Sequence, residues 1–341
     1  MKAIVKPLIF TIMSTTVNAQ VQDYATDPHL DHGVKEFLNV LNTAEGPALE
    51  TLSKEDARQV LIGAQAAFDV DLSGIEESER TIHSDGYDVS LNIVRPKNVQ
   101  GKLPVFIFIH GGGWILGDYP THKRLVRDLV VRSGAVAVFV NYTPSPEAQF
   151  PTAINEIYAA TKWVAEHGDE INVDGSRLAV VGNSVGGNMS AVTALKAKAE
   201  NGPEIKAQIL LWPVTDATFS QESYKKFGKD RFLTTPIMKW MWDQYTTDTE
   251  ERTSIYASPL QASVEELKGL PPAVILVAEN DILRDEAEAY GRKLDQAGVE
   301  VATVRYNGTI HDFGLLNALV NVPSTQAMLD LAAAEIKKYL K

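Results

Sequence analysis

The stretch Leu-Ala-Val-Val-Gly-Asn-Ser-Val-Gly-Gly, residues 178–187, places one hydroxyl between glycines directly after an apolar run. Residues 178–181 have the composition of a buried strand, and residues 188–199 have the pattern of a helix. A serine on such a sharp strand-to-helix turn is held in an exposed, strained position, and the neighbouring glycines leave room for it. The positive end of the following helix favours negative charge beside the serine. We therefore predict that Ser184 is a nucleophile; an ordinary glycine turn is the alternative.

Short apolar runs alternate with amphipathic segments from about residue 79 onward. This alternation predicts an α/β fold with a central, mostly parallel sheet covered by helices, because strands buried on both faces are apolar throughout. Residues 81–94 instead alternate in polarity and turn at Asp85-Gly86, as an antiparallel edge pair does, so the sheet should be mixed. The predicted central strands are 104–109, 135–140, 178–181, 207–211 and 273–277, with a last strand at 301–306 and crossover helices at 151–167 and 285–297.

Two segments do not fit this alternation and look like additions to the core. Residues 20–72 are largely helical in pattern, and residues 214–262 separate two predicted strands and are rich in aromatic side chains. We interpret the two segments together as a helical cap, so that residues 73–341 form the core with 214–262 as its insertion. A separate small helical domain is the alternative.

The first 19 residues have a basic end, a short apolar stretch and a Val-Asn-Ala step suited to signal peptidase. We predict that residues 1–19 are a signal peptide, which implies export to the periplasm or secretion if they are cleaved, and a cytoplasmic protein otherwise. An N-terminal helix of the folded protein is the alternative. No later stretch approaches the roughly 20 apolar residues that span a bilayer, so stable membrane insertion is not expected.

Charge and cysteine content exclude several classes of function. The formal net charge of -12 opposes binding to nucleic acid. The chain has no cysteine, which excludes disulfides, thiolate metal sites and a cysteine nucleophile. Any nucleophile must therefore be an oxygen or an amine. The glycines around Ser184 also lack the lysine of a phosphate loop and the glycine spacing of a dinucleotide site.

A serine hydroxyl attacks only when a base takes its proton and a carboxylate orients that base. His311 follows the predicted strand 301–306, and Asp281 follows the predicted strand 273–277. Parallel strands end at the same edge of a sheet, and the chain order Ser184, Asp281, His311 is the order of an α/β-hydrolase. We predict these three residues as a catalytic triad. The alternatives are a surface-loop role for the histidine, a helix-capping role for the aspartate, and two other carboxylates, Glu279 and then Asp285.

A tetrahedral intermediate also needs backbone donors aimed at its oxyanion. The run His-Gly-Gly-Gly-Trp, residues 110–114, follows a predicted buried strand, where its glycines let the backbone approach a reacting carbonyl. A flexible linker is the alternative. We predict that the amides of Gly112, Gly113 and Val185 form an oxyanion hole.

The aromatic residues of segment 214–262 predict an enclosed acyl pocket that favours short or medium acyl chains. We expect Trp114 and Trp242 to contact the substrate in this pocket.

Together these motifs resemble the hormone-sensitive lipase family (bacterial family IV) of carboxylesterases, in the α/β-hydrolase superfamily. Its marks are His-Gly-Gly-Gly upstream of Gly-Asp-Ser-Ala-Gly-Gly, and the match runs from about residue 104 to 314, through 141–147 and 281–285. The resemblance implies an α/β-hydrolase core with a helical cap and ester hydrolysis without a metal or organic cofactor. In that family the histidine that here is His110 orients its loop and does not catalyse.

The chain departs from the family pattern beside the predicted site. Asn183 and Val185 replace aspartate and alanine, Ile282 replaces proline, and Asp312 replaces the usual glycine after the histidine; the arginine of the family's tyrosine segment is also missing. None of these changes removes a predicted triad member; Val185 narrows the turn beside the nucleophile, and Asp312 adds charge beside the base. The remaining histidines have no motif around them, suggest no metal site and are expected on the surface: His29, His32, His83, His122 and His167.

The sequence thus predicts a serine carboxylesterase that acts on a small-molecule ester through an acyl-serine intermediate. The same triad acting on an amide, a carbonate or an acetylated sugar stays open. A ligand-binding protein that keeps the fold without catalysis is a rival of a different class, against which the retained histidine argues. The sequence leaves a homodimer open.

Overall fold

The computed structural model describes residues 23–341, so the predicted signal peptide at 1–19 lies outside the described residues. One eight-stranded sheet, in the order β1-β2-β4-β3-β5-β6-β7-β8, runs through the molecule. The strands from β3 to β8 pair in parallel, whereas β2 pairs antiparallel with both β1 and β4. The predicted mixed, mostly parallel sheet is confirmed. Its strands are β1 (Ile75–Ser84), β2 (Tyr87–Pro96), β3 (Leu103–Ile109), β4 (Val136–Asn141), β5 (Val173–Asn183), β6 (Gln208–Leu211), β7 (Ala273–Asn280) and β8 (Val301–Ile310).

The edge hairpin of β1 and β2 turns at the predicted dipeptide. Asp85 and Gly86 have φ values of +51° and +80°, as a two-residue turn that matches the twist of its strands requires. Central strands, in contrast, are buried on both faces: residues 105–109 of β3 are fully inaccessible. Their uniformly apolar sequence follows from that burial.

Three strands are longer at their carboxyl ends than the sequence predicted. The strands β5, β7 and β8 end at Asn183, Asn280 and Ile310, each one residue before a predicted triad member. The apolar runs stop before these strand ends because the last residues include the polar side chains of Asn183, Asn280 and Thr309, which are buried all the same.

Helices cover both faces of the sheet. One face carries α4 (Thr152–His167), α5 (Val185–Ala199) and α10 (Arg284–Gln296), and their apolar side chains form one core cluster. The other face carries α1 (His32–Thr43), α3 (Tyr119–Ser133) and α11 (Pro323–Tyr339), which form a second cluster. The remaining helices are α2 (Lys54–Ala66), α6 (Glu222–Phe227), α7 (Thr235–Tyr245), α8 (Thr249–Thr253) and α9 (Val264–Leu267). None of the helices within residues 23–341 has the length and apolarity to cross a membrane.

The two segments interpreted as a cap contact each other. A buried ion pair joins Asp27 Oδ2 to Arg231 Nη2 at 2.7 Å, and the rings of Phe37 and Phe232 lie 6.0 Å apart. Segment 20–72 also touches the core, since Leu30 bridges β8 at Gly308. These contacts support one cap built from both segments, which stays our interpretation.

Candidate active site

The three strand ends bring three polar side chains into one hydrogen-bonded chain. Ser184 follows β5, Asp281 follows β7 and His311 follows β8. The distance from His311 Nε2 to Ser184 Oγ is 3.0 Å, and the distance from His311 Nδ1 to Asp281 Oδ2 is 2.7 Å. A carboxylate can only accept, so Nδ1 carries the proton and Nε2 is left to accept from the serine hydroxyl. All three side chains are buried, with at most 4% of their surface exposed.

The turn that carries Ser184 is strained, and glycines make it sterically feasible. Ser184 has φ +55° and ψ -121°, a region that a non-glycine residue rarely adopts. A Cβ at Gly186 would overlap the carbonyl oxygen of Ile109, and one at Gly182 would overlap the backbone of Gly186. Helix α5 begins at Val185 rather than at residue 188, so its first amides lie directly behind the serine.

Asp281 is the carboxylate that meets the histidine, and the other candidates face elsewhere. Its Oδ1 accepts from the amide of Leu283 at 3.0 Å, which leaves Oδ2 for His311. Glu279 accepts from the amide of Gly308, and Asp285 accepts from the amide of Ser223. The geometry therefore favours Asp281 over the two other carboxylates that the sequence left open.

A second carboxylate, that of Asp312, also lies close to His311. Its Oδ2 is 3.9 Å from Nε2 of His311, while its Oδ1 accepts from Trp212 Nε1 at 2.6 Å and from Asn183 Nδ2 at 3.1 Å. Two of the departures from the family pattern thus bond to each other. Burial alone would lower the pKa of His311, but Asp281 and Asp312 together outweigh it and raise that pKa above the ordinary 6.5.

The loop after β3, residues 110–117, is called the glycine loop below. It has the conformation that close approach to a carbonyl requires. Gly112 and Gly113 have φ values of +103° and +64°, and both border the cavity at Ser184. The carbonyl of Gly112 accepts from the amide of Leu116 at 2.8 Å. Since a trans peptide points its N–H opposite to its C=O, the amide of Gly113 faces away from that turn. The role of these amides as oxyanion donors stays a prediction.

His110 is positioned as the family role suggests. Its ring stacks on Tyr142 with the centroids 4.2 Å apart, and its Nδ1 lies 2.8 Å from the carbonyl oxygen of Gly111. Burial lowers its pKa to about 4, so the ring is neutral near pH 7. A neutral ring that contacts the carbonyl of Gly111 agrees with the orienting role that the resemblance implies, which stays a prediction.

His122 corrects a sequence prediction, because it is buried and not on the surface. It lies on α3 with no exposed area, and its ring centroid is 5.4 Å from that of His110. The sequence reasoning did not assign helix α3, whose inner face carries this residue. The other four histidines without a motif are exposed as expected: His29, His32, His83 and His167. Among residues 23–341 no group of three or more acidic, histidine or cysteine side chains could hold a metal ion.

A small apolar cavity of about 70 Å³ opens at the serine. Its wall comes from the glycine loop, from segment 20–72 and from segment 214–262. The lining residues are Leu49, Leu61, Gly112, Gly113, Leu116, Ser184, Phe232, Leu233, Ile237, Met241, His311 and Asp312. Larger cavities exist in the described part of the chain, including one of about 400 Å³ behind His110. Ser184 and His311 both border the small cavity, and neither borders the cavity behind His110.

Trp114 and Trp242 do not border this cavity, in contrast to the expectation from the sequence. Both side chains are fully buried, with their ring centroids 4.7 Å apart, and Trp114 also stacks on Tyr245. On helix α7 it is Ile237 and Met241 that face the serine. Their spacing of four residues is the signal that could have identified them, since both lie on one face of the helix.

Known proteins resemble this chain in fold and in sequence. A family model described as the alpha/beta hydrolase fold matches residues 106–315. A thermostable esterase from Pseudomonas putida ECU1011, known from its crystal structure, is 62% identical, with a TM-score of 0.92 over 92% of this chain and 99% of that one. Carboxylesterase NlhH of Mycobacterium tuberculosis is 35% identical over 77% of this chain and 82% of its own. An ethyl acetate hydrolase of Pseudomonas putida is 33% identical over 69% and 74%.

Proposed function

The chain belongs to the hormone-sensitive lipase family of α/β-hydrolases, and from this membership we propose that it hydrolyses short- to medium-chain carboxylic esters through an acyl-serine intermediate. One observation carries the proposal: Ser184 Oγ lies 3.0 Å from a histidine nitrogen whose opposite nitrogen is held by Asp281. That chain can move a proton from the serine as its oxygen attacks. A panel of p-nitrophenyl esters with different acyl chains is the first test of activity.

In the acylation half of the proposed cycle, His311 takes the proton of Ser184 as Oγ attacks the ester carbonyl. The carbonyl oxygen becomes an oxyanion beside the amides of Gly112, Gly113 and Val185. Asp281 stabilises the positive charge on the imidazolium. The intermediate then collapses, the bond to the alcohol breaks, and His311 protonates the departing alkoxide.

In the deacylation half, water enters the place that the alcohol left. His311 takes one proton from this water as its oxygen attacks the acyl carbon of the acyl-serine. The same backbone amides face the second oxyanion. Collapse releases the carboxylic acid, and His311 returns the proton to Ser184 Oγ, which restores the starting state.

Other acyl bonds need the same groups, so the choice of an ester rests on the relatives and on the cavity. The relatives compared above are named esterase, carboxylesterase and ethyl acetate hydrolase. A small apolar cavity also suits a short acyl group better than a sugar, whose hydroxyls need polar partners. Activity on acetanilides, carbonates or acetylated sugars that exceeds activity on matched simple esters would favour those substrates instead.

The size of the cavity predicts a limit on acyl length. We expect p-nitrophenyl acetate and butyrate to be turned over faster than the laurate or palmitate esters, by about tenfold or more. Forcing extra methylenes into a filled apolar site costs about 1–3 kcal/mol. Met241→Ala, which shortens one wall, should raise the laurate rate relative to the acetate rate. A rate that climbs steadily toward long-chain triglycerides would contradict binding of the acyl group in the small cavity.

The carboxylates of Asp281 and Asp312, both near His311, predict how the activity depends on pH. Only the neutral imidazole acts as a base, so kcat/KM should fall as the pH drops through a His311 pKa that lies above 6.5. Asp312→Asn removes one negative charge but keeps an acceptor for Trp212. It should lower the pKa of His311 and move the acidic limb to lower pH. Profiles of kcat/KM between about pH 5 and 9 measure this shift.

The control for that shift is Asp330→Asn, which removes a surface carboxylate on α11. It should leave the acidic limb in place. An acidic limb that does not move in Asp312→Asn would mean that the carboxylate of Asp312 does not act on His311.

A further inference from the structure

Helix α2 lies outside the predicted core and contacts both loops that carry the proposed catalytic groups. Arg58, Leu61 and Gln65 are three and four residues apart, so they share one face of this helix. Leu61 borders the cavity at Ser184. The other two side chains bond to backbone carbonyls, one in the glycine loop and one in the loop after His311.

Arg58 holds the glycine loop through its backbone. Its Nε donates to the carbonyl oxygen of Ile115 at 2.8 Å, and its Nη2 donates to that of Ser145 at 3.3 Å. Both terminal nitrogens also bond to the carboxylate of Glu147 at 2.9 Å, which fixes the plane of the guanidinium. The amide of Ile115 in turn bonds to the carbonyl of Gly112 at 3.2 Å. Arg58 therefore holds Ile115, whose amide bonds to the carbonyl of Gly112 across the turn.

Gln65 does the same for the loop after the histidine. Its Nε2 donates to the carbonyl of Leu315 at 3.0 Å, and its Oε1 accepts from the amide of Asn317 at 2.9 Å. The amide of Leu315 closes a turn onto the carbonyl of Asp312. A second side chain also holds this loop: the buried Arg124 donates to the carbonyl of Leu315 at 2.6 Å. The loop should therefore tolerate loss of Gln65 better than the glycine loop tolerates loss of Arg58.

We propose that Arg58 is a positioning residue for the oxyanion hole, on a helix that bonds to both the glycine loop and the loop after His311. The inference rests on the proposed function. Oxyanion donors stabilise a transition state only when they are already oriented toward it. Arg58 does not line the cavity at Ser184, so we expect it to act on the reaction indirectly, chiefly through its bond to the backbone of the glycine loop.

The test compares Arg58→Lys and Arg58→Met with the unaltered protein. Lysine keeps the charge opposite Glu147 but lacks the planar fork that serves three acceptors at once. We expect kcat to fall on the order of 10- to 100-fold in both variants, with KM changed much less. A fall in kcat with little change in KM indicates an interaction that stabilises the transition state more than the bound substrate. Gln65→Ala should lower kcat less than either variant.

A transition-state analogue gives a readout that a merely structural role would not move. In a trifluoromethyl ketone, Ser184 Oγ adds to the carbonyl carbon, the serine proton goes to His311 and the carbonyl oxygen becomes an oxyanion; no group leaves. We expect its inhibition constant to rise in the Arg58 variants by the same factor by which kcat/KM falls.

Two variants serve as matched controls, with the thermal midpoint measured for all. Arg132→Met removes an arginine of similar exposure whose ion pair, with Asp330, lies on α3 and α11 away from the site. Gln59→Ala removes an exposed glutamine from α2 itself. Both should keep kcat within about twofold, as surface substitutions do.

The outcomes separate this inference from the proposed function. Wild-type kcat in Arg58→Lys, or a loss no larger than that of Arg132→Met, overturns the positioning role. If Arg58→Met does not fold, Arg58→Lys decides alone. Turnover that survives in Ser184→Ala refutes the proposed function. An inactive Ser184→Ala together with a fully active Arg58→Lys refutes only the inference about Arg58.

Discussion

Ser184→Ala should reduce the turnover of p-nitrophenyl acetate on the order of 10⁶-fold, to the residual rate that binding and the backbone donors supply. Without Oγ no acyl-serine can form, and His311 then has no hydroxyl to deprotonate. The double variant Ser184→Ala/His311→Ala should lose no more than Ser184→Ala alone, because the two groups act as one unit. Initial rates with purified protein, compared under the same conditions, measure both effects.

The control for this substitution is Ser190→Ala on the same helix. Ser190 is also buried, and its hydroxyl donates to the carbonyl of Gly186 within α5. This variant should keep its rate within a few-fold of the unaltered protein. A rate in Ser184→Ala that stays near that of Ser190→Ala would mean that another group is the nucleophile.

Asp281→Asn should lower kcat on the order of 10⁴-fold while the fold is kept. The carboxylate accepts from Nδ1 of His311 and so leaves Nε2 free to accept the serine proton. A carboxamide in its place can donate to Nδ1, which favours the tautomer with its proton on Nε2. That tautomer cannot act as a base toward Ser184. Loss of the negative charge also lowers the pKa of His311 and removes the group that stabilises its protonated form.

Glu279→Gln makes the same change, from carboxylate to carboxamide, two residues earlier, on β7. Because Glu279 bonds to the amide of Gly308 and not to His311, this variant should stay close to full activity. Rates for both variants, with circular dichroism to confirm folding, decide the matter. Equal activity losses in the two variants would show that the carboxylate of Asp281 has no catalytic role that Glu279 lacks.

The parts of the site that local patterns specify could be predicted from the sequence. Ser184, Asp281 and His311 each follow an apolar run, and parallel strands carry such positions to one edge. The glycines of the tight turn were equally readable, since only glycine avoids an overlap with Ile109 at residue 186. The sheet's mixed character followed from the contrast between apolar runs and the alternating residues 81–94.

The lining of the cavity could not be predicted in the same way. Segment 214–262 is rich in aromatic residues, but composition does not say which face of α7 turns toward the serine. Packing of Trp242 against Trp114 and Tyr245 turns Met241 inward, and that choice depends on contacts between segments distant in the chain. The bond from Arg58 to the carbonyl of Ile115 likewise spans 57 positions and leaves no local motif.

Burial of His122 was missed for a related reason. Helix α3 has a Pro at its start and several charged residues, so its apolar face was not recognised. The readable signal was the pair Asp118 and Thr121, three residues apart, which caps the first turn of this helix. Had this helix been predicted on its face of the sheet, His122 would have been expected beside His110.

The most direct test of the central claim is to trap the acyl-enzyme. The protein is mixed with p-nitrophenyl acetate, quenched in acid within the first turnovers and digested, and the peptides are examined by mass spectrometry. We predict one acetyl adduct, on Ser184, that is absent from Ser184→Ala and strongly reduced in His311→Ala. Turnover without any adduct on Ser184, or an adduct that forms equally fast without His311, would contradict the account.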